Sequence, residues 1–361
     1  MATVAVSQVK LGDKLNQDVL TPLGSVLFHK GKVLTPRELE ILQAFLVPTV
    51  VIDSGDKKEE AEVISDKASE SKELGEKTAL GDQYDHTVRL LKRVFNDVVS
   101  GSGIPILDIR TQVEALLQHI DEYKILTFSP NAINHDEYLY HKSVMSAMSC
   151  YMIAQWIGLP KKDWMQAALA GLLHDIGNAK IDKAILNKPT TLTQAEAEEM
   201  KRHTVLGYQV LKNVTAITEG VKLAALQHHE RVDGSGYPLG VQSDKIHPYA
   251  KLVAISDIFN AMTMKRAYRK ANSPYLVLEQ IQKDSFGKLE PAYVQTFIEK
   301  VTQFHNGTIV KLNDDRIGEI VFSDRNHPTR PWVSVNGNII NLVNESQLHI
   351  EEIVTNKETI K

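Results

Sequence analysis

Cysteine is almost missing from these 361 residues. With Cys150 alone there is no internal disulfide and no Cys-based zinc ribbon, so any metal site must be built from His and carboxylates. Long apolar runs are missing too. Nothing approaches the roughly 18 residues of a bilayer span, and the N-terminus lacks the charged-then-apolar layout of a signal peptide, so a cytoplasmic location is expected. An excess of positive charge is the third absence. A net charge of -4 and a pI near 6.4 leave no basic stripe to track a DNA or RNA polymer, so any nucleotide partner is expected to be small. What the chain has is apolar material, 43% of its residues, enough for one sizeable core with one or two small accessory domains. It also has thirteen histidines.

Residues 1–53 alternate short apolar runs with turns at Pro22-Leu23-Gly24 and Lys30-Gly31, then give a capped helix start at Thr35-Pro36-Arg37-Glu38. This reads as a small β-rich module. From 54 to about 80 the composition is Ser, Lys and Glu, too polar to offset its ordering entropy, and a flexible charged linker is expected. Two amphipathic helices follow within 81–130, marked by Val88, Leu91, Phe95 and Val98 and then by Ile109, Val113, Leu117 and Ile120. Both need a partner surface, and a homodimer is one way to supply it. Residues 131–302 read as an all-α domain, with helix starts signalled at Asp163, the Thr193-to-Glu196 capping box, Pro248 and Ser273-Pro274. After that, 303–361 turns to short β-branched runs broken at Asn313-Asp314-Asp315 and at Asn336-Gly337, a hairpin signal. A small β domain closes the chain.

Within the helical block, metal-ligand residue types fall at positions that would otherwise be core. Glu137 and His141 are four apart and share a helix face, although such pairs also occur on solvated faces. His174 and Asp175 follow the small, apolar stretch Ala167 to Leu173. A carboxylate buried there is costly without a cation beside it, unless the pair merely ends a helix at Gly177. His203 lies on the face of Met200, Leu206, Gly207 and Val210. His228 extends the face of Val221, Ala224 and Ala225, with His229 beside it. One such histidine is usually a hydrogen-bonded core residue; three in one block shift the balance. Asp257, among Val253, Ala254, Ile258 and Ala261, is again a carboxylate on an apolar face.

This set offers nitrogen and oxygen donors without sulfur, which suits Fe, Mn, Zn or Ni better than Ca or Mg. It exceeds what one ion uses, so two or three ions with bridging carboxylates are the economical reading, an arrangement suited to phosphate ester hydrolysis. The loop Asp233-Gly234-Ser235-Gly236-Tyr237-Pro238 permits close backbone approach, and Tyr237 can donate a hydrogen bond or stack on a base; an ordinary surface turn is the competing reading. Arg266, Tyr268 and Arg269 follow the Asp257 face, where arginines can grip a phosphate or simply end a solvated helix.

In this order the pieces resemble the HD-GYP family of the HD metallohydrolase superfamily. The matching text is His141-Lys142-Ser143-Val144, Leu172-Leu173-His174-Asp175-Ile176-Gly177, Lys188-Pro189 with Leu192-Thr193, His203, His228-His229-Glu230-Arg231, Asp233 to Pro238 and Ser256-Asp257-Ile258-Phe259, spanning roughly 137–300. The resemblance implies a mainly α protein, a helical HD-GYP bundle flanked by small β-rich N- and C-terminal modules. It implies a cyclic di-GMP phosphodiesterase forming linear pGpG and then GMP through a metal-bridging hydroxide, with two or three divalent ions, Fe(II) or Mn(II). On that reading His141, His174, Asp175, His203, His228, His229 and Asp257 are metal ligands, with Glu137 completing a third site. Tyr237, Arg266 and Arg269 would position the phosphates, and Asp175 would serve catalysis as well as binding metal.

Three departures stand out: Asn178 where the family pattern has Lys, Asn260 where it has Asp, and Ala267 where it has Pro. The first removes a positive charge expected at the scissile phosphate, with Lys180 close enough in sequence to compensate. Asn178 therefore favours a second reading, a weakly active or inactive sensor that binds a cyclic dinucleotide and signals through partners. A third reading is an HD phosphohydrolase acting on a mononucleotide or alarmone, and a fourth is a scaffold with a structural metal core.

Overall fold

A computed structural model describes residues 2–20, 26–52, 78–130, 135–264, 271–302 and 307–354. Residues 54–77 of the sequence-predicted linker, the turn at Pro22-Leu23-Gly24 and the segment carrying Arg266, Ala267, Tyr268 and Arg269 lie outside the described residues, whereas Ala79 and Leu80 at the end of that linker are helical. The chain divides into two compact units, Met1–Lys77 with His305–Lys361, and Thr78–Phe304.

The first unit begins with β1 (Ala2–Ala5), β2 (Val19–Leu20), β3 (Val26–Phe28), α1 (Pro36–Ala44) and β4 (Thr49–Ile52). It ends with β5 (Ile309–Leu312), β6 (Ile317–Phe322), β7 (Trp332–Val335), β8 (Asn338–Asn341) and β9 (Ile350–Ile353). The expected capping box forms at Thr35, with Pro36 opening α1 and Glu38 reaching back to the Thr35 backbone N–H at 3.0 Å. Strands β1 and β4 pair antiparallel, as do β2 and β3, and the later strands form one antiparallel sheet in the order β8-β7-β6-β5-β9. The Asn336-Gly337 turn between β7 and β8 has φ of 50° and 80°, left-handed values that Asn and Gly tolerate. Leu15, Phe28, Leu34, Leu42 and Val50 are buried in this unit, with Ile309, Ile317 and Val354 against them.

The second unit is helical: α2 (Ala79–Ser100), α3 (Ile106–Leu117), α4 (Tyr138–Trp156), α5 (Lys161–Leu173), α6 (Lys183–Leu186), α7 (Gln194–Lys201), α8 (His203–Leu211), α9 (Glu219–Gln227), α10 (Pro248–Thr263), α11 (Pro274–Asp284) and α12 (Pro291–Thr302). The start signals at Thr193, Pro248 and Ser273-Pro274 open α7, α10 and α11. The predicted face of α2 is buried, Val88, Leu91, Phe95 and Val98 included, and α3 and α4 of the same chain cover it. Burying each such aliphatic side chain contributes about 2 kcal/mol. On the second predicted helix Ile109, Val113 and Leu117 are buried, whereas Ile120 falls past its end and is half-buried.

Helices α4 and α5 form the closest pair. Small residues let them approach: a Cβ added to Gly171 would stand 2.4 Å from the Ser146 carbonyl oxygen. This contact fixes the depth at which α5 delivers His174 and Asp175. No helix among the described residues is long and apolar enough to cross a membrane.

Candidate metal centre

Four elements of the helical unit converge on one buried cluster. Helix α5 ends at Leu173 and hands His174 and Asp175 to a 3-10 turn at Ile176–Lys180; α8 opens with His203; α9 runs out into His228 and His229; and α10 carries Asp257. The turn is pressed onto α8 so tightly that a Cβ on Gly177 would lie 1.9 Å from the His203 carbonyl oxygen. His174, Asp175, His203, His228 and Asp257 are all at most 8% exposed.

The ring orientations identify the chemistry. His174 Nδ1 donates to the Gly171 carbonyl at 2.8 Å and His203 Nδ1 to the Met200 carbonyl at 2.7 Å. His228 Nδ1 donates to the carbonyls of Ala224 and Ala225 at 3.1 Å. With Nδ1 donating in all three, each Nε2 faces the interior, the arrangement of backbone support that orients metal-ligating imidazoles. His203 Nε2 and His228 Nε2 face each other at 3.2 Å and lie 3.4 and 3.6 Å from Asp175 Oδ1. His174 Nε2 has no hydrogen-bond partner, and lies 3.2 Å from Asp175 Oδ2 and 3.4 Å from Asp257 Oδ1. The facing Nε2 atoms of His203 and His228 and the Asp175 Oδ1 beside them repel unless a cation stands among them, whereas the Lys142 ammonium lies against Asp175 Oδ2 and Asp257 Oδ1. His203, His228 and His229 form one potential ligand group, and His174, Asp175 and His228 another, each with its ligand atoms within 4.8 Å.

The titration behaviour follows from burial and charge. Burial lowers His203 to about 4, outweighing Asp175, so its imidazole is neutral near pH 7 and its lone pair available. Burial and the neighbouring His228 likewise hold His229 well below the usual histidine range. Burial opposes protonation of His174 as well, but Asp175 and Asp257 beside it prevail and push it up to about 9. Those carboxylates themselves stay well below their usual range: burial would raise them, and the Lys142 ammonium and His174 overcome it.

The remaining expected ligands sit at the edge. His141 is 7% exposed on α4, and its Nδ1 lies 2.9 Å from the Tyr84 hydroxyl. Burial holds it below the ordinary histidine value. Glu137, just ahead of α4, forms an ion pair with Lys92 at 2.8 Å. Tyr237 stacks on His229, ring centroids 4.7 Å apart, with Lys201 Nζ 5.6 Å above its ring. Burial, with Asp175 and Asp257 adding to it, pushes the Tyr237 hydroxyl up, so it remains a donor. Arg266 and Arg269 lie outside the described residues.

The Gly-Tyr-Pro loop is a built element. The buried Glu230 carboxylate accepts from the backbone N–H groups of Leu239 at 2.6 Å and Val241 at 3.2 Å. A Cβ at Gly236 would lie 2.4 Å from the Arg231 nitrogen, so only glycine lets the loop press against the His229 turn. His229, Arg231, Ser235, Tyr237, Asp284 and Lys288 line a cavity of about 310 Å³ on its flank.

Tyr84, Lys142 and Glu230 were not singled out in sequence for the contacts they make. Tyr84 had a signal, lying four residues before Val88 on the same apolar face. Asn178 is buried in the 3-10 turn, its backbone N–H bonded to the Asp175 carbonyl at 3.0 Å. Lys180 is exposed and lines a separate cavity of about 470 Å³ with Val98, Gly101 and Asn213. Asn260 is fully buried and ties α10 to α4 through Ser146 at 3.1 Å.

A helical unit with a buried His-Asp pair and converging imidazoles offers a nitrogen and oxygen donor set for metal ions. Residues 127–291 match the model of the HD domain family. The groups His203, His228, His229 and His174, Asp175, His228 fit a divalent ion. Among curated proteins the chain is similar to a cyclic di-GMP phosphodiesterase of Pseudomonas aeruginosa, 29% identical over 68% of this chain and 61% of that protein. A cyclic di-GMP phosphodiesterase of Thermotoga maritima is 36% identical over 40% of each chain. A 3'3'-cGAMP-specific phosphodiesterase of Vibrio cholerae is 31% identical over 44% of this chain and 30% of that one. The chain spans less than two thirds of the length of each of these relatives.

Proposed function

We propose that this chain is a metal-dependent phosphodiesterase of the HD-GYP type that hydrolyses cyclic di-GMP to linear pGpG and onward to GMP. The observation that carries the reading is the set of Nε2 atoms of His174, His203 and His228, each fixed by an Nδ1–H to backbone bond and turned onto Asp175. Two similar proteins named cyclic di-GMP phosphodiesterases support the substrate.

We assign His141, His174, Asp175, His203, His228, His229 and Asp257 to metal binding, with Glu137 at the outer edge. The nitrogen and oxygen donor set favours Fe(II) or Mn(II). A divalent ion held there supplies Lewis acidity toward a phosphoryl oxygen and lowers the pKa of water. Asp175, buried and ionised, offers one oxygen to each side of the cluster and so orders the metal side of the site. Tyr237, protonated and stacked on His229, donates to a substrate phosphate. Arg266 and Arg269 are assigned to the phosphates by the resemblance alone. Stacking and the Glu230-held loop fix the Tyr237 ring against His229.

The test is incubation of the full chain, reconstituted anaerobically with Fe(II) or Mn(II), with cyclic di-GMP, following products by chromatography. Metal-dependent formation of pGpG that vanishes in Asp175→Ala is the expected result. Absence of turnover in a protein that still binds the nucleotide supports the sensor reading, which the uncharged Asn178 favours.

A further inference from the structure

The cavity of about 310 Å³ beside the metal centre has a side that no step of the proposed reaction uses. His229 and Tyr237 form the side shared with the centre, and Ile258 and Leu289 add apolar surface. The unused side carries Asp284, the last residue of α11, and Lys288 from the turn after it. That turn is tied to the Gly-Tyr-Pro loop by two backbone bonds. The Val232 N–H donates to the Lys288 carbonyl at 3.1 Å, and the Asp233 N–H to the Gly287 carbonyl at 3.0 Å.

The polar groups here stand in a fixed order. Lys288 Nζ donates to Asp284 Oδ1 at 3.1 Å, and Gln280 Nε2 donates to Asp284 Oδ2 at 3.2 Å. A carboxylate has about four acceptor positions and an ammonium three donors, so both oxygens and the nitrogen keep capacity after these bonds. The side chains of Asp284 and Lys288 are 23% and 55% exposed, within reach of a ligand in the cavity. Their edge therefore reads acceptor, acceptor, donor, from Oδ2 through Oδ1 to Nζ. The Watson–Crick edge of guanine is its complement: the 2-amino group and N1–H donate, and O6 accepts. Adenine has a lone pair on N1 where guanine has a proton, and would turn it against a carboxylate oxygen. An ion pair this exposed contributes little to stability, so either residue can be exchanged without unfolding the chain.

We propose that this cavity is a guanine-base site, in which Asp284 accepts from the 2-amino group and N1–H while Lys288 donates to O6. The proposal deepens the cyclic di-GMP reading and rests on it for the phosphate that follows the base toward Tyr237 and the metal centre. Asp284 and Lys288 are then specificity-determining residues, selecting guanine over adenine at one of the two bases of the substrate.

Mononucleotides decide it without turnover, since they carry no diester. GMP, IMP and AMP would be titrated calorimetrically into the metal-loaded full chain; the shared 5'-phosphate leaves only the base to differ. GMP should bind about tenfold tighter than AMP, with IMP, which lacks the 2-amino group, in between. Asp284→Asn, which turns one acceptor into a donor, should bring GMP to the level of AMP without weakening AMP, and Lys288→Met should weaken GMP alone. Equal affinity of the wild type for GMP and either analogue, no binding of GMP, or a GMP preference that survives Asp284→Asn overturns the proposal. The IMP comparison needs no variant and holds should either substitution fail to fold. If the GMP preference stands and cyclic di-GMP is not cleaved, the substrate reading falls and the base site remains. If cyclic di-GMP is cleaved by a chain that binds GMP and AMP alike, the base site falls and the substrate reading remains.

Discussion

Single residues set the chemistry here by which atom they turn inward. The presence of His174, Asp175, His203, His228 and Asp257 was legible from ligand types at core positions. Their tautomers were not, because those depend on the carbonyls of Gly171, Met200 and Ala224, which only the folded turns bring into place. Lys142 was equally hidden: a lysine beside a histidine reads as solvated until α5 and α10 set two carboxylates against it. Asn178 yields a prediction at this scale. It stands in the turn that begins at Asp175, where the family pattern supplies a positive charge. Asn178→Lys should raise kcat on cyclic di-GMP about tenfold, equivalent to roughly 1.4 kcal/mol of charge-assisted bonding to the phosphate, with metal content unchanged. A kcat that stays flat at constant metal content would show that the charge is not what limits this chain.

Elements show where sequence reasoning succeeds and stops. Caps and turns were readable because their signals are local: the Thr193 capping box, Pro248 and Asn336-Gly337 form as the residues dictate. Which element covers α2 was not local: α3 and α4 of the same chain take its apolar face. That packing brings the Tyr84 hydroxyl to 2.9 Å from His141 Nδ1, where it orients the ring. Tyr84→Phe removes this support at constant volume and should weaken metal binding about tenfold, read by competition with a chelator. Equal affinity in mutant and wild type would place His141 outside the metal shell. At α7, Lys188, bonded to Glu196, lowers that carboxyl to about 2, with the Thr193 backbone adding to it. A depressed acid stabilises above its ordinary value of 4.5 and loses the contribution as pH falls toward about 2. Amide hydrogen exchange in α7, taken relative to its intrinsic rate at each pH, should therefore quicken between pH 4.5 and 2 in the wild type. In Glu196→Gln it should already be fast at pH 5 and show no step in that window; a step retained in the mutant would assign it to another group.

At the scale of the whole molecule, function and family signal do not share a boundary. The HD domain match covers 127–291, yet the tyrosine on His141 comes from α2, which begins at Ala79. All described site residues lie within Thr78–Phe304, while the terminal segments build a separate core around Leu34, Leu42 and Val50. A fragment spanning 78–304 should thus melt cooperatively and bind metal as the full chain does, its affinity changed by no more than about twofold. A fragment cut at 127 loses α2 and α3, with the buried Leu91, Val94 and Phe95, and uncovers the α4 surface where Phe95 meets Tyr140. Losing three such buried side chains removes about 6 kcal/mol of apolar burial, comparable to the whole stability of a domain. The shorter fragment should be unfolded or aggregated by calorimetry and gel filtration. If it folded and held metal like the longer one, the helices ahead of the family match would be ornaments and the His141 contact dispensable; if only the longer one does, the working domain of this chain begins with α2.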